Sequence, residues 1–334
     1  MLPLYKILFL STLMSSTLIS ISSQSWLGMW MGLEINLLSF IPIMNEKKNM
    51  MSSEASIKYF IVQALASSIM LVAIILMSNI LPLIQNNYIM MILNSALFMK
   101  MGAAPFHFWF PEMIEGLNWM NSLILLTWQK LAPMVILSYK INTFFSMSVV
   151  IMCMLISGIM GVNQISLRKI MAYSSINHLG WMISTMIFNQ MIWFIYFLIY
   201  TIMSINIMIT FKQFNIFYIK QMFLHMNNNN SMKIFFVSNF LSLGGLPPFI
   251  GFFPKWISIY TLMTNNAFTI SMLMVILTLF TLYIYTRLTF SAILLSSSQL
   301  KPNFFKQNYK NWITLNNFIS ITGMLLCTMI FTLA

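Results

Sequence analysis

Aspartate is absent from this chain, and its acidic charge rests on five glutamates. Only 7% of the 334 residues are charged, where soluble globular chains carry about 25%. That is too little polar surface to cover a soluble sphere. Cysteine occurs twice, as Cys153 and Cys327, each inside an apolar run and without a CxxC partner. Disulfide, zinc and iron–sulfur frameworks therefore fit poorly, and both thiols read as apolar filler. Histidine occurs three times, once in a loop, which does not supply paired axial ligands for a b-type haem. There is no Walker loop, no Rossmann glycine motif beside a strand and no acidic metal cluster. Soluble phosphoryl or hydride chemistry is excluded for this chain.

What is present is apolar length. Hydrophobic residues make up 59% of the chain, and a membrane span needs about 20 of them in succession. Eleven runs qualify: 3–21, 25–44, 57–79, 88–116, 119–139, 141–162, 170–188, 191–211, 234–264, 267–295 and 313–332. Residues 1–23 have the look of a signal peptide, with Lys6, an apolar core and a serine-rich end, and are read here as the first span. With eleven spans the loops alternate sides. One side then collects Lys6, Lys47, Lys48, Lys58, Arg168, Lys169, Lys212, Lys220, Lys233, Arg287, Lys301, Lys306 and Lys310, and the other keeps Lys140. By the positive-inside rule the N-terminus faces in and the C-terminus faces out. This distribution explains the net charge of +12 without nucleic acid: the basic residues set orientation and meet lipid headgroups. The loop 212–233 alternates Lys with Phe, Ile and Tyr and is expected at the interface, its asparagine run forming a turn. The 34 methionines and two arginines indicate A+T-rich coding, as in an animal mitochondrial genome.

Two spans are interrupted. Lys100 to Glu112 reads KMGAAPFHFWFPE, and 143 residues later Gly245, Pro248, Phe249, Phe253, Pro254 and Lys255 repeat Gly102, Pro105, Phe106, Phe110, Pro111 and Glu112. The expected fold is an all-α polytopic membrane protein of about eleven transmembrane helices, built from two five-helix repeats (1–139 and 140–295), each with a broken fourth helix. A loop and a C-terminal helix follow (296–334). Five is odd, so consecutive repeats must be inverted, the plan of many ion transporters.

With the loop charges removed, and Glu112 and Glu115 placed towards the inner end of the broken helix, Glu34, Lys100, Lys130 and Lys255 remain deep inside the spans. A charged residue at mid-membrane costs about 2.5–3.5 kcal/mol on insertion scales, so each is a candidate for function. Desolvation disfavours a charged amine and readies it for proton exchange, while a nearby carboxylate acts the other way. Movement of Glu34 relative to Lys100 would load and unload protons. A static Glu34–Lys100 ion pair or snorkelling is the structural alternative. His178 falls beside the repeat equivalent of Glu34. It is either a proton relay or a packing residue bonded to Ser174 or Ser175; the same choice stands for His107.

The clusters Trp30–Asn36, Glu54–Phe60, Gly102–Trp109, Thr127–Pro133, Leu167–Ser175, Gly244–Phe249 and Pro254–Trp256 together resemble the antiporter-like membrane subunits of respiratory complex I, the NADH:ubiquinone oxidoreductase, over about residues 25–290. The resemblance is to the shortened, insect-like animal form. It implies a proton-pumping module related to Mrp-type cation/proton antiporters, in which Glu34 pairs with Lys100 and protons pass by Lys130 to Lys255. It further implies residence in the mitochondrial inner membrane, N-terminus to the matrix and C-terminus to the intermembrane space. Neighbouring membrane-arm subunits and lipids would be the partners. NADH, FMN, iron–sulfur clusters and ubiquinone would be held on other subunits, with no cofactor, metal or redox centre in this chain. A cation/proton antiporter working without electron transfer is the alternative, and an idle scaffold a third reading.

Overall fold

The structure is a computed structural model and describes residues 4–46, 49–79, 86–228, 230–294 and 323. The expected span 313–332, the loop lysines 301, 306 and 310, and Cys327 lie outside these residues, Gly323 excepted. Every regular element among the described residues is an α-helix, and seven of the helical segments are long and apolar enough to cross a membrane. The protein is an all-α, multi-pass membrane protein.

The chain divides into two compact units, Met1–Cys153 and Met154–Ala334. The first contains α1 (Leu4–Ser22), α2 (Trp26–Met44), α3 (Met50–Asn79), α4 (Asn86–Met101), α5 (Trp109–Gly116), α6 (Trp119–Leu126) and α7 (Trp128–Tyr139). Helix α8 (Thr143–Val162) follows, and the second unit continues with α9 (Leu167–Phe188), α10 (Gln190–Phe214), α11 (Ile219–Asn228), α12 (Asn230–Gly244), α13 (Phe252–Thr264) and α14 (Phe268–Leu294). Ser and Thr hydroxyls throughout donate to the carbonyl three residues back, as Ser16, Ser67, Ser174 and Thr281 do, which keeps them satisfied in apolar surroundings.

Burial separates the helices by role. In α1 only Leu13, Ser16, Thr17 and Ser20 are buried, leaving Leu4, Ile7, Leu8 and Leu18 exposed for lipid. Helix α9 is the opposite case, buried continuously from Ile170 to Met186. It forms the axis of the second unit, so its polar residues Ser174, Ser175, Asn177 and His178 are enclosed by protein.

Three features differ from the sequence expectation. The 212–233 loop is largely helical, with α11 running to Asn228 and α12 beginning at Asn230; the turn expected in the asparagine run falls at Asn229, outside the described residues. Burial of Met222 anchors α11 and outweighs the turn preference of asparagine. The 119–139 span is found as Trp119–Tyr139, with a local interruption at Thr127, where α6 ends and α7 begins. There the Thr127 hydroxyl takes the Leu123 carbonyl at 2.8 Å, and Pro133 six residues on cannot donate to the ladder. Lys58, grouped with the loop charges, sits inside α3, where it bridges Glu54 at 2.9 Å and Glu112 at 3.0 Å.

Candidate functional site

The two interruptions foreseen from glycine and proline are helix breaks with one backbone design. Helix α4 ends at Gly102, φ +73°, and α12 at Gly245, φ +74°. These left-handed conformations admit glycine without penalty. Gly102 N–H bonds Met99 O (3.2 Å) and Ala103 N–H bonds Phe98 O (3.0 Å). Gly245 N–H bonds Ser242 O (3.0 Å) and Leu246 N–H bonds Leu241 O (3.3 Å). Both pairs are Schellman closures, which stop a helix by turning its last carbonyls inward. The correspondence continues through the loops: Phe106 N–H to Ala103 O and Phe110 N–H to His107 O are matched by Phe249 N–H to Leu246 O and Phe253 N–H to Ile250 O. Each of the four bonds recurs at the 143-residue offset.

The side chains over the two breaks differ. In the first unit, the Gln63 amide donates to Lys100 O (3.2 Å) at the end of α4. The Phe110 ring lies over Gly102, and the ammonium of Lys130 stands 5.4 Å from that ring's centroid. The Cys153 sulfur accepts from Ala104 N–H at 3.2 Å, taking a backbone donor that the break has freed. Asn36 and Gln129 are joined at 3.0 Å across α2 and α7. Lys100, Lys130, Asn36, Gln63, Gln129 and Tyr59 share one small buried cavity of about 20 Å³, room for about one water.

Lys100 and Lys130 are 7% and 1% exposed. Lys100 Nζ has no hydrogen-bond partner among the described residues. A buried ammonium in that state costs several kcal/mol, the profile of a group kept for its chemistry. Glu34 lies close enough to act on Lys100 electrostatically, but it does not reach hydrogen-bond distance of Lys100 Nζ. The expected direct Glu34–Lys100 pair is therefore not formed in this structure. Glu34 is half-buried on α2 and outside the cavity. Glu112, the repeat equivalent of Lys255, is surface-exposed and engaged with Lys58. His107 is buried in the first break, with Nδ1 3.3 Å from Pro105 O.

In the second unit, Lys255 is 8% exposed and donates to Gly244 O at 2.8 Å. Its side chain crosses the face of Gly245, where an added Cβ would lie 2.7 Å from Lys255 Cδ. The ammonium thus sits on the last carbonyls of α12, the negative end of the helix dipole. His178 bonds the Tyr196 hydroxyl at 3.0 Å through Nδ1, while Ser174 and Ser175 donate to their own helix. Asn177 donates to Thr281 at 3.0 Å, the Tyr200 ring centroid lies 5.1 Å from that of His178, and Tyr285 lines a small cavity with Ser174 and Thr281. A tyrosine, serine and histidine cluster thus fills the middle of this unit. Sequence reasoning gave no role to Asn36, Gln63, Gln129, Cys153 or these tyrosines. Polar residues inside apolar runs were the available signal.

Residues 23–281 match the family model described as NADH:quinone oxidoreductase/Mrp antiporter, TM. The chain is 49% identical to NADH-ubiquinone oxidoreductase chain 2 of Anopheles gambiae, with 97% of each covered. To the protein of that name from Loxodonta africana it is 38% identical, covering 97% of this chain and 96% of the other. Among solved structures it resembles a chain of respiratory complex I from Thermus thermophilus with bound aureothin, with a TM-score of 0.85 at 20% identity over 98% of this chain and 79% of that one. A chain of the Mrp complex from Dietzia gives 0.72 at 15% identity, over 85% and 59%. At these identities the structural likeness is one of fold alone.

Proposed function

This chain belongs to the NADH:quinone oxidoreductase/Mrp antiporter transmembrane family, and from that membership we propose that it is an antiporter-like, proton-translocating subunit in the membrane arm of NADH:ubiquinone oxidoreductase. One observation carries the reading at the level of residues: two buried lysines, Lys100 and Lys130, line the same small cavity beside a broken helix. Paired amines at such a site have no structural use that offsets their desolvation, whereas proton exchange requires them.

In this reading Glu34 moves relative to Lys100 as ubiquinone is reduced on other subunits. Approach of the carboxylate loads a proton onto Lys100, and its withdrawal sends the proton on to Lys130. Asn36, Gln63 and Gln129 orient the water that carries it. Lys255, on the second break, serves the exit, and His178 with Tyr196 can relay within the second unit. The two breaks belong to two inverted five-helix repeats, 1–139 and 140–295, in an eleven-span plan completed by 296–334. The chain resides in the mitochondrial inner membrane, N-terminus in the matrix and C-terminus in the intermembrane space. Neighbouring membrane-arm subunits and lipids surround it. NADH, FMN, iron–sulfur clusters and ubiquinone are handled by other subunits.

The relatives at 38–49% identity carry the oxidoreductase name, which favours this reading over an Mrp-type antiporter acting without electron transfer. Proton release from the assembled complex in sealed vesicles separates the two. The proposal expects release that follows NADH oxidation and is unchanged when potassium replaces sodium. Sodium-dependent proton flux without NADH oxidation would transfer the assignment to the antiporter class.

A further inference from the structure

The second unit has a groove of about 370 Å³ between the α8–α9 connection, α11 and the C-terminal part of α14. Ile170, Ile219, Phe223, Ile284 and Leu288 give it apolar walls. Arg287, Asn163 and Tyr283 supply polar groups at the same opening. The frame is held by backbone: Leu167 N–H bonds Phe217 O at 3.0 Å and Ile219 N–H bonds Ile165 O at 3.3 Å. This tethers the α8–α9 connection to the start of α11.

The charge is unusual for its surroundings. Arg287 is exposed and makes no hydrogen bond or ion pair among the described residues. All five glutamates lie at or before Glu115, so the second unit carries cations only. No acidic side chain in this unit can neutralise Arg287, and none offers a carboxylate to the ammonium of a choline or ethanolamine headgroup. Depth agrees with a headgroup position. Arg287 is about 29 Å along α14 from Phe268 at 1.5 Å per residue, against a hydrocarbon core about 30 Å thick. With Phe268 at one hydrocarbon boundary, that length brings the guanidinium to the other, beside the apolar walls of the groove.

We propose that this groove is a binding site for an anionic phospholipid. The phosphate is held by the Arg287 guanidinium, assisted by Asn163 and Tyr283, and an acyl chain lies along Ile170, Ile284 and Leu288. A guanidinium gives phosphate two parallel hydrogen bonds, which a lysine in this place could not. The inference is independent of how protons cross the protein.

The assembled complex in phosphatidylcholine nanodiscs, doped with a phosphatidylglycerol that carries a photoactivatable acyl chain, provides the test. Cross-links mapped by peptide mass spectrometry are expected on the segments 219–223 and 283–288. Arg287→Gln should lower that labelling about fivefold, the equivalent of one basic contact at an anionic surface, and Arg287→Lys should restore part of it. Arg287 is exposed, so both variants are expected to fold, and NADH oxidation by the variants checks that assembly is intact. Equal labelling by a photoactivatable phosphatidylcholine would overturn the proposal. So would labelling unchanged by Arg287→Gln, or no labelling because protein covers the groove.

Discussion

Three buried lysines are accommodated in three different ways. Lys100 has no hydrogen-bond partner among the described residues, Lys130 lies over the Phe110 ring, and Lys255 rests on a helix-terminal carbonyl. All three were legible in the sequence, because a charge inside an apolar run is conspicuous and expensive. Cys153 was not. A thiol in an apolar run reads the same whether it fills space or accepts a hydrogen bond, and only the fold brings it to the amide of Ala104. Removing the acceptor leaves that buried N–H unsatisfied, at a cost of about 1–3 kcal/mol. Cys153→Ala should therefore lower the thermal stability of the assembled complex, while Cys153→Ser, which keeps an acceptor, should stay closer to the parent. A melting curve in which both variants behave alike would show that the sulfur contact contributes nothing.

The broken helices were readable as elements, since glycine and proline recur at the 143-residue offset and the structure repeats the hydrogen bonds at that offset. What covers each break was not readable. The same backbone turn carries Phe110 in one case and Lys255 in the other, a choice made by packing from other helices. The interruption at Thr127 was missed because threonine sits equally well inside a helix. Helix α11 was missed because asparagine-rich segments favour turns until a neighbour buries one face. The second break yields a prediction. Gly245→Ala imposes a left-handed alanine, at about 1–2 kcal/mol, and places its Cβ 2.7 Å from Lys255 Cδ. The variant is expected to lose stability and to lower the protons moved per electron, because Lys255 can no longer reach Gly244 O. At neighbouring Gly244 an added Cβ meets Tyr285 at an ordinary 3.5 Å, so Gly244→Ala should be close to neutral in both measurements. Equal effects at the two positions would mean that Lys255 does not depend on the glycine.

For the whole molecule, composition alone decided the class: a chain this apolar and this short of acid is a multi-pass membrane protein. The proposed proton chemistry is assigned to places where polar groups interrupt that apolar mass, around the first break and beside His178 and Tyr196 of the second unit. The resemblance of the motifs pointed to a Glu34–Lys100 pair, yet the two groups are not in contact in this structure. A sequence reports which charges are present, and separation is a property of one conformation. A carboxylate near its lysine but not bonded to it is the arrangement a movable pair requires. The most direct test of the account is the number of protons translocated per electron by the assembled complex carrying Lys130→Met, measured in sealed vesicles with NADH oxidation followed in parallel. The account predicts a lower stoichiometry in complex that is assembled and still oxidises NADH. An unchanged stoichiometry would contradict it and leave the buried lysines of this chain without a role in proton translocation.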